Sequence, residues 1–266
     1  MSVSTAADAS RAHARAAAET LALVGQRHPR VHCITNAAAS VISANVLLAV
    51  GAVPSLTIAA DEVGDFVAGA DALLVNLGTL DETRRAAIAI AVRAAAQSEI
   101  PWVLDPAFAD RSGPRRAFAA GLCGLGPAVV HANEAEIKAL ANGPSVGDKG
   151  AADTAAEIAR NCRTCVALTG AEDRVSDGAR TAIIANGHPL MGKVTAMGCA
   201  LGALIACFCA VEPDPFLAAL RAVLCFGVAG EIAGSRAAGP GSFQVELLDA
   251  LHALDADALE ARGRVS

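Results

Sequence analysis

The chain has 266 residues, of which 54% are apolar and 18% charged, and its formal net charge is −6. This composition supplies enough apolar sequence for one large α/β core, and the acidic balance with few lysines argues against a nucleic-acid-binding protein. The eight cysteines are scattered through apparent core segments, and the N-terminal pattern is amphipathic rather than that of a signal peptide, so we expect reduced thiols and a cytoplasmic protein.

Strands and helices alternate from the beginning of the chain. Apolar runs such as 72–76 predict buried strands, and an acidic residue such as Asp81 predicts a helix start. The elements predicted for the first part are helix 6–27, strand 31–34, helix 35–48, strand 55–59, helix 61–68, strand 72–76, helix 81–97 and strand 101–105.

The alternation continues in the second part without a domain break. The predicted elements are helix 114–122, strand 128–131, a helix opened by Asn133, loop 142–150, strand 165–169, an antiparallel hairpin over 174–184, and helices 214–236 and 242–260. Such alternation predicts a three-layer α/β/α fold with a mainly parallel central sheet, built as a single domain over residues 1–266.

The stretch 186–211 is the most informative one. A polar loop broken by Gly and Pro passes into a run rich in Ala and Leu, which predicts a buried helix with Cys199 in its first turn. The first N–H groups of a helix have no intrahelical partner and carry the positive end of the helix dipole, so they form a site for a phosphate. We expect the same dipole to favour the thiolate of Cys199.

Other interpretations of nearby segments are weaker. Residues 194–211 are long enough for a membrane span, but no basic cluster flanks them, and we expect a core helix and no membrane partner. The segment 187–194 resembles a phosphate-binding loop, but Pro189 removes an N–H group and Val194 stands where a hydroxyl is required. Cys162 and Cys165 form a lone C-x-x-C, which we interpret as a helix end and strand start.

Polar side chains follow several predicted strands. Asn36, Asp105, Asn133 with Glu136, and Thr169 all stand at strand ends, where open α/β sheets bind ligands. Each alone is typical of a helix cap or a dipole partner. Their joint placement beside a helix N-terminus favours a functional site, and the acidic pair suits Mg²⁺.

Eight separated motifs, in order along nearly the whole chain, resemble those of the hydroxyethylthiazole kinase family. The resemblance implies a ribokinase-like fold without a lid, a homotrimer with active sites between subunits, and transfer of the γ-phosphoryl of ATP to the primary alcohol of 4-methyl-5-(2-hydroxyethyl)thiazole in thiamine salvage. The motifs are 32–36, 44–54, 76–80, 103–106, 133–137, 169–178, 186–191 and 194–199.

The resemblance also implies a role for particular residues. Cys199 would face the substrate hydroxyl, where the wider superfamily has an Asp base, and the N–H groups of Ala196, Met197 and Gly198 would form an anion hole. The remaining expected assignments are Mg²⁺ and phosphates at Asp105 and Glu136, ATP at His131, Asn133 and Thr169, and the thiazole at Asn36, Leu56, Gly78 and Ala196.

The chain departs from the family pattern at several of these positions. His131 replaces an Arg that contacts ATP, which exchanges a permanent charge for one that depends on pH. Ala196 and Met197 replace a Gly-Thr pair, and Leu56 replaces a Met. One hypothesis is that an arginine at position 111, 115 or 116 supplies the missing charge.

These departures leave two alternatives to the kinase. One is a degenerate paralogue that binds thiazole or nucleotide without catalysis. The other is a ribokinase-like relative such as a nucleotide-dependent dehydratase, against which the position of Cys199 argues.

Overall fold

An eight-stranded sheet lies at the centre of the protein, with strand order β2-β1-β3-β4-β5-β6-β7-β8. The structure is a computed structural model, and it describes residues 6–141 and 150–266. Strands β1 to β6 are parallel, and β7 and β8 are added antiparallel at one edge, as the hairpin prediction required. The strands are β1 (Arg30–Ile34), β2 (Val53–Ser55), β3 (Ala72–Asn76), β4 (Trp102–Asp105), β5 (Val129–Asn133), β6 (Cys165–Thr169), β7 (Asp173–Ser176) and β8 (Thr181–Ile184).

Helices cover both faces of the sheet, which confirms the predicted three-layer α/β/α architecture. One face packs against α1 (Ala6–Arg27), α2 (Ser40–Ala49), α8 (Met197–Cys209), α9 (Pro215–Arg236), α10 (Pro240–His252) and α11 (Ala256–Arg262). The other face packs against α3 (Val63–Ala68), α4 (Glu82–Gln97), α5 (Gly113–Cys123), α6 (Glu134–Leu140) and α7 (Ala151–Cys162).

Three predicted boundaries are wrong. The second strand covers Val53–Ser55 rather than 55–59, because only these residues pair with β1. The second helix begins at Ser40 rather than directly after the expected cap at Thr35 and Asn36, since Asn36 instead caps a turn by accepting hydrogen bonds from Ala39. The predicted helix 242–260 is two helices, because the side chain of Asp255 caps a new one. The predicted loop 142–150 lies, except for Gly150, outside the described residues.

The predicted apolar helix after Cys199 is confirmed as α8, which is buried over most of its length. It follows a short 3₁₀ turn, Pro189–Lys193. The one described helix that is long and apolar enough to cross a membrane is α9, and 78% of its apolar window is buried inside the protein. Burial of this kind is typical of a core helix.

Three glycines on α9 receive the chain that leads into α8. A β-carbon added at Gly227 would lie 2.9 Å from the backbone oxygen of Asn186, and one at Gly230 would lie 2.7 Å from the sulfur of Met191. At Gly234 the distance to the ring of His188 would be 2.3 Å. Segment 186–191 therefore packs on α9 closely enough to require glycine at position 227, where the contact is with backbone, and to crowd the His188 ring at position 234, whereas the flexible end of Met191 could move away from position 230.

Candidate functional site

The site begins with a row of polar residues on the face of the sheet that α8 covers. Side chains alternate between the two faces of a strand, so the buried residues Leu74, Val103 and Val129 are followed two positions later by Asn76, Asp105 and His131 on the same face. Asn76 is the register partner of Asp105 on the neighbouring strand. All three polar side chains are buried.

A hydrogen-bond network connects this row to Cys199. The side-chain amide of Asn36 donates to Asn76 Oδ1 at 2.9 Å and to Cys199 Sγ at 3.3 Å. The amide of Asn76 donates to Asp105 Oδ2 at 2.6 Å and to the same sulfur at 3.3 Å. The backbone N–H of Gly78 also donates to Asn76 Oδ1, at 2.9 Å. Both amides are thus fully used inside the protein.

Gly78 lies so close to this network that no side chain fits. A β-carbon there would be 2.5 Å from Asn36 Cβ and 2.6 Å from Asn36 Nδ2. Glycine is therefore required by the close approach of the loop after β3 to the loop after β1.

The expectation of a stabilised Cys199 thiolate is wrong. The pKa of the Cys199 thiol is raised to about 12, chiefly by burial and then by the charge of Asp105, and the hydrogen bonds from Asn36 and Asn76 lower it only in part. Desolvation disfavours the charged form of a thiol, and a neighbouring carboxylate acts in the same direction. Cys199 is a neutral thiol at physiological pH, with two amide donors directed at its sulfur.

The start of α8 has the open amides that the anion-site prediction required. No hydrogen bond within the described residues uses the N–H groups of Met197 or Gly198, and no side chain caps the helix. Ala196 precedes the helix in the left-handed conformation, with φ of 63°. A left-handed alanine costs about 1 kcal/mol, which is consistent with the glycine that the family pattern has there.

His131 stands beside this helix start without a partner. Neither ring nitrogen accepts or donates a hydrogen bond among the described residues, although the side chain is only 4% exposed. Its Nδ1 lies 3.8 Å from Asp105 Oδ2, and a β-carbon on Gly198 would lie 3.8 Å from its Cε1. A buried ring without a hydrogen bond costs free energy, and a β-carbon on Gly202 would lie 3.6 Å from the same Nδ1, so the ring is enclosed between α8 and Asp105.

The two predicted metal-binding carboxylates are buried near each other. Burial raises the pKa of Glu136, the backbone N–H groups of Asn133 and Phe108 lower it, and the charge of Asp105 raises it. Phe108 N donates to Glu136 Oε1 at 2.9 Å, and Ala107 N donates to Asp105 Oδ1 at 3.1 Å. A divalent cation would offset the repulsion between two such carboxylates, and oxygen ligands suit Mg²⁺.

The set of protein ligands for such a cation is small. Within residues 6–141 and 150–266, no group of three His, Cys, Asp or Glu side chains could hold a metal ion. The residues therefore fit a Mg²⁺ that takes its remaining ligands from water and phosphate, as this cation does at nucleotide sites.

A cavity of about 640 Å³ opens beside the start of α8. Thr169, Met197 and Gly198 line it together with Asn186 and Met191 of the connecting segment. Thr169 stands at the end of β6, in register with Asn133, and donates weakly to the Ala132 carbonyl at 3.5 Å. A larger cavity of about 780 Å³ lies near the amino ends of β1 and β2 and contains none of the predicted site residues.

Two predicted site residues lie apart from the network. Leu56 follows the edge strand β2 and is half-buried against the core. Asn133 is exposed, and its side chain forms a capping box with Glu136 at the start of α6. Its Oδ1 is occupied by the backbone N–H of Glu136.

The three arginines proposed to replace the missing charge also differ. Arg111 pairs with Asp110 and is 79% exposed. Arg115 donates to backbone carbonyls of the loops after β3 and β4. Arg116 has its guanidinium near Gly113.

Asn76 is the functional candidate that sequence reasoning missed. It contacts Asn36, Asp105, Cys199 and Gly78, more of the predicted site than any other side chain described above. A signal was present, because Asn76 is the polar last residue of a run that is otherwise fully apolar and buried.

Comparisons with known proteins identify the family of the chain. The model of the hydroxyethylthiazole kinase family matches residues 21–257. A hydroxyethylthiazole kinase of Granulibacter bethesdensis is 44% identical over 253 residues, covering 92% of each chain. One of Rhizobium etli is 46% identical over 250 residues, covering 91% of this chain and 97% of the relative.

Solved structures give the same family and fold. A hydroxyethylthiazole kinase protein of Pyrococcus horikoshii superposes with a TM-score of 0.90 at 38% identity, over 94% of this chain and 98% of the other. A ribokinase-like superfamily protein of Enterococcus faecalis has a TM-score of 0.64 at 16% identity, over 85% of this chain and 88% of the other, which confirms the ribokinase-like fold alone. The chain belongs to the hydroxyethylthiazole kinase family.

Proposed function

We propose that this protein transfers the γ-phosphoryl of ATP to the primary alcohol of 4-methyl-5-(2-hydroxyethyl)thiazole, in thiamine salvage. The observation that carries the proposal is the placement of Cys199 between two parts of the site. On one side stand Asn36 and Asn76, and on the other the open amides of Met197 and Gly198. Membership of the family supports the identity of the alcohol.

The nucleotide would occupy the cavity beside α8. Met197 N–H and Gly198 N–H would donate to phosphate oxygens, where the helix dipole also favours negative charge. His131 would donate from a ring nitrogen that has no partner in the protein, and Thr169 would contact the nucleotide from the end of β6. Asn133 remains a proposed ATP contact through atoms other than its occupied Oδ1.

Asp105 and Glu136 would hold Mg²⁺, which when bound neutralises charge on the transferring phosphate. Asn76 keeps the Asp105 carboxylate in place through its 2.6 Å hydrogen bond. The four carboxylate oxygens each accept a hydrogen bond from Asn76 or from a backbone N–H, so the pair is fixed before ligands arrive.

Cys199 would place the acceptor alcohol. Its sulfur accepts from two amides, which leaves the thiol hydrogen to point away from them, and its high pKa makes it a neutral group rather than a strong base. Phosphoryl transfer passes through a loose transition state in most analyses, so positioning outweighs base strength. Asn36, Leu56, Gly78 and Ala196 are the proposed walls of the thiazole pocket.

A direct assay tests the activity. Purified protein given ATP, Mg²⁺ and the thiazole alcohol is expected to form ADP and the thiazole phosphate, and omission of Mg²⁺ is expected to stop turnover. The absence of turnover across a panel of small primary alcohols would refute the kinase. Thermal stabilisation by thiazole or nucleotide without turnover would instead favour a binding paralogue.

We further propose that the whole chain acts as one cytoplasmic kinase domain within a homotrimer. Exposed apolar side chains support an assembly: Val41 and Leu48 on α2, Val245 on α10, and Val53 with Phe66 beside the edge strand that precedes Leu56. Contacts between subunits would remove these apolar side chains from water. Sedimentation equilibrium should give three times the chain mass of 26.6 kDa, and a monomer mass would contradict the trimer.

A further inference from the structure

Arg115 occupies an unusual position at the start of α5. Its Nη1, which carries two hydrogens, lies within hydrogen-bond distance of three backbone carbonyls, those of Leu77, Gly78 at 2.6 Å and Ala107 at 3.0 Å. Leu77 and Gly78 belong to the loop after β3, and Ala107 belongs to the loop after β4. One guanidinium therefore contacts both loops, which join strands already linked at this end of the sheet by the hydrogen bond from Leu77 N–H to the Asp105 carbonyl at 3.0 Å.

The tied loops are the ones that hold the polar row. Gly78 N–H donates to Asn76, Ala107 N–H donates to Asp105, and the next residue, Phe108, donates to Glu136. Each peptide that Arg115 contacts through its carbonyl thus lies within one residue of an N–H that fixes a site side chain. A shift in either loop would move those N–H groups away from their acceptors.

The environment of Arg115 differs from that of a stabilising surface arginine. It forms no ion pair among the described residues, and its Cζ lies 6.0 Å from the Phe108 ring centre. Burial and the charge of Arg85 lower the pKa of Arg115. Its printed hydrogen bonds all run from Nη1 to backbone carbonyl oxygens, whereas an ion pair would compensate the loss of hydration better.

We propose that Arg115 is a positioning residue of the kinase site, which sets Asn76, Asp105 and Glu136 by joining the loops after β3 and β4. The kinetic effects expected from this inference rest on the proposed function. Arg115 then acts on the part of the site that binds the alcohol and the metal. It is no longer a candidate for the arginine that contacts the phosphates of ATP.

The test compares Arg115→Ala with Arg93→Ala, which removes an exposed arginine from α4. Arg115→Ala should raise the Mg²⁺ concentration for half-maximal rate and the KM for the thiazole alcohol by about tenfold, since small misplacements of reacting groups cost this much or more. At a Mg²⁺ concentration that saturates both proteins, the KM for ATP should stay within about twofold, because the open amides of α8 do not depend on Arg115. Arg93→Ala should match the wild type.

Chemical rescue separates positioning from general support of the fold. Guanidinium ion at low millimolar concentration should restore much of the lost activity of Arg115→Ala and leave Arg93→Ala unchanged. Equal losses for ATP and alcohol without rescue, or no loss at all, would overturn the inference. If Arg115→Ala does not fold, Arg115→Met, which keeps the aliphatic stem but donates no hydrogen bond, should fold and show the same selective rise in Mg²⁺ requirement, and a wild-type Mg²⁺ requirement in that variant would equally overturn it.

A binding measurement keeps this inference distinct from the proposed function. Titration of wild type and Arg115→Ala with ADP, with and without Mg²⁺, should show a Mg²⁺-dependent gain in affinity that the substitution reduces. If the wild type phosphorylates no alcohol but shows this gain, the proposed function fails and the positioning role stands. An undiminished gain in the variant refutes the role whatever the wild type phosphorylates.

Discussion

The acceptor side and the nucleotide side of the site differ in how their polar groups are used. Around Cys199, the amides of Asn36 and Asn76 spend every donor on protein atoms. Around the start of α8, His131 has no partner and the N–H groups of Met197 and Gly198 have no acceptor among the described residues. One side is complete without ligand, and the other is left to be completed by one.

The two sides of the site therefore differ in how they affect the stability of the free protein. A satisfied network fixes geometry in advance, so that its members reach the substrate already oriented. Open donors cost stability in the free protein and return it when an anion binds. Substitutions on the acceptor side should therefore lower both stability and turnover, whereas those on the nucleotide side should lower affinity alone.

The largest expected effect is at Asn76. Replacement by Leu would leave Asp105 Oδ2, Gly78 N and the Asn36 amide each short of a partner. We expect a loss of about 2–4 kcal/mol in the free energy of unfolding, because buried polar groups without partners are costly. Turnover should fall about 100-fold through misplacement of Asp105. Urea denaturation and steady-state kinetics measure the two effects, and a stable, active Asn76→Leu protein would remove the distinction between the sides.

Gly78→Ala tests the close approach of two loops on the acceptor side. The new β-carbon would lie 2.5 Å from Asn36 Cβ, so one loop must move, at a cost of about 1–3 kcal/mol. The KM for the thiazole alcohol should rise more than that for ATP. The matched control is Gly121→Ala in α5, where nothing lies within 4 Å and the alanine should stabilise the helix by about 0.8 kcal/mol.

Two buried histidines, one with hydrogen-bond partners and one without, give a test in which the expected effects are of intermediate size. His131→Phe removes two nitrogens that have no partner, so unfolding should change by less than about 1 kcal/mol, while ATP affinity should fall about tenfold. His32→Phe removes hydrogen bonds to Ser55 Oγ at 2.8 Å and to the Thr57 carbonyl at 3.0 Å, and should destabilise by about 1–3 kcal/mol. Equal destabilisation of both variants would contradict the idea that the polar groups on the nucleotide side find their partners only when a ligand binds.

The smallest expected effect near neutral pH concerns Cys199. The fold raises its pKa to about 12, so the stability gained by keeping the thiol protonated is complete below the ordinary Cys pKa and is lost as pH rises towards 12. At pH 10 the loss should reach about 2 kcal/mol, for an unfolded pKa near 8.5. Cys199→Ala should show a smaller decline in stability between pH 8 and 10 than the wild type, with the other cysteines common to both.

Kinetics of Cys199 variants complete that test. Cys199→Ala is expected to fold, bind the thiazole and turn over more slowly, and Cys199→Asp is expected to retain activity. The pH–rate profiles of the wild type and of Cys199→Ala should have the same shape near pH 8.5. An inflection near pH 8.5 in the wild type alone would mean that the thiol of Cys199 ionises at its ordinary pKa.

Much of this architecture could be predicted from the sequence, because periodicity and strand ends carry it. Buried runs located β3 and β6, and the polar residues after strands located Asp105 and Glu136. A polar residue at the end of an apolar strand marks Asn76 as unusual, but this local signal does not give its four contacts. Those contacts depend on the register with β4 and on the approach of α8.

The error at Cys199 has a different cause. The helix-start argument considered the dipole but not the burial of the thiol or the carboxylate of Asp105, which together outweigh it. Arg115 was likewise considered for its charge, whereas its contacts with three backbone carbonyls follow from loop positions that no sequence pattern records.

The glycines of α9 bear on any attempt to alter which phosphoryl donor the protein accepts. Gly227 and Gly234 bring α9 close to the segment that lines the proposed nucleotide cavity, so side chains added there would displace that segment. Laboratory selection for a new donor should vary Met191 and Val223, whose side chains border the cavity, and keep these two glycines constant.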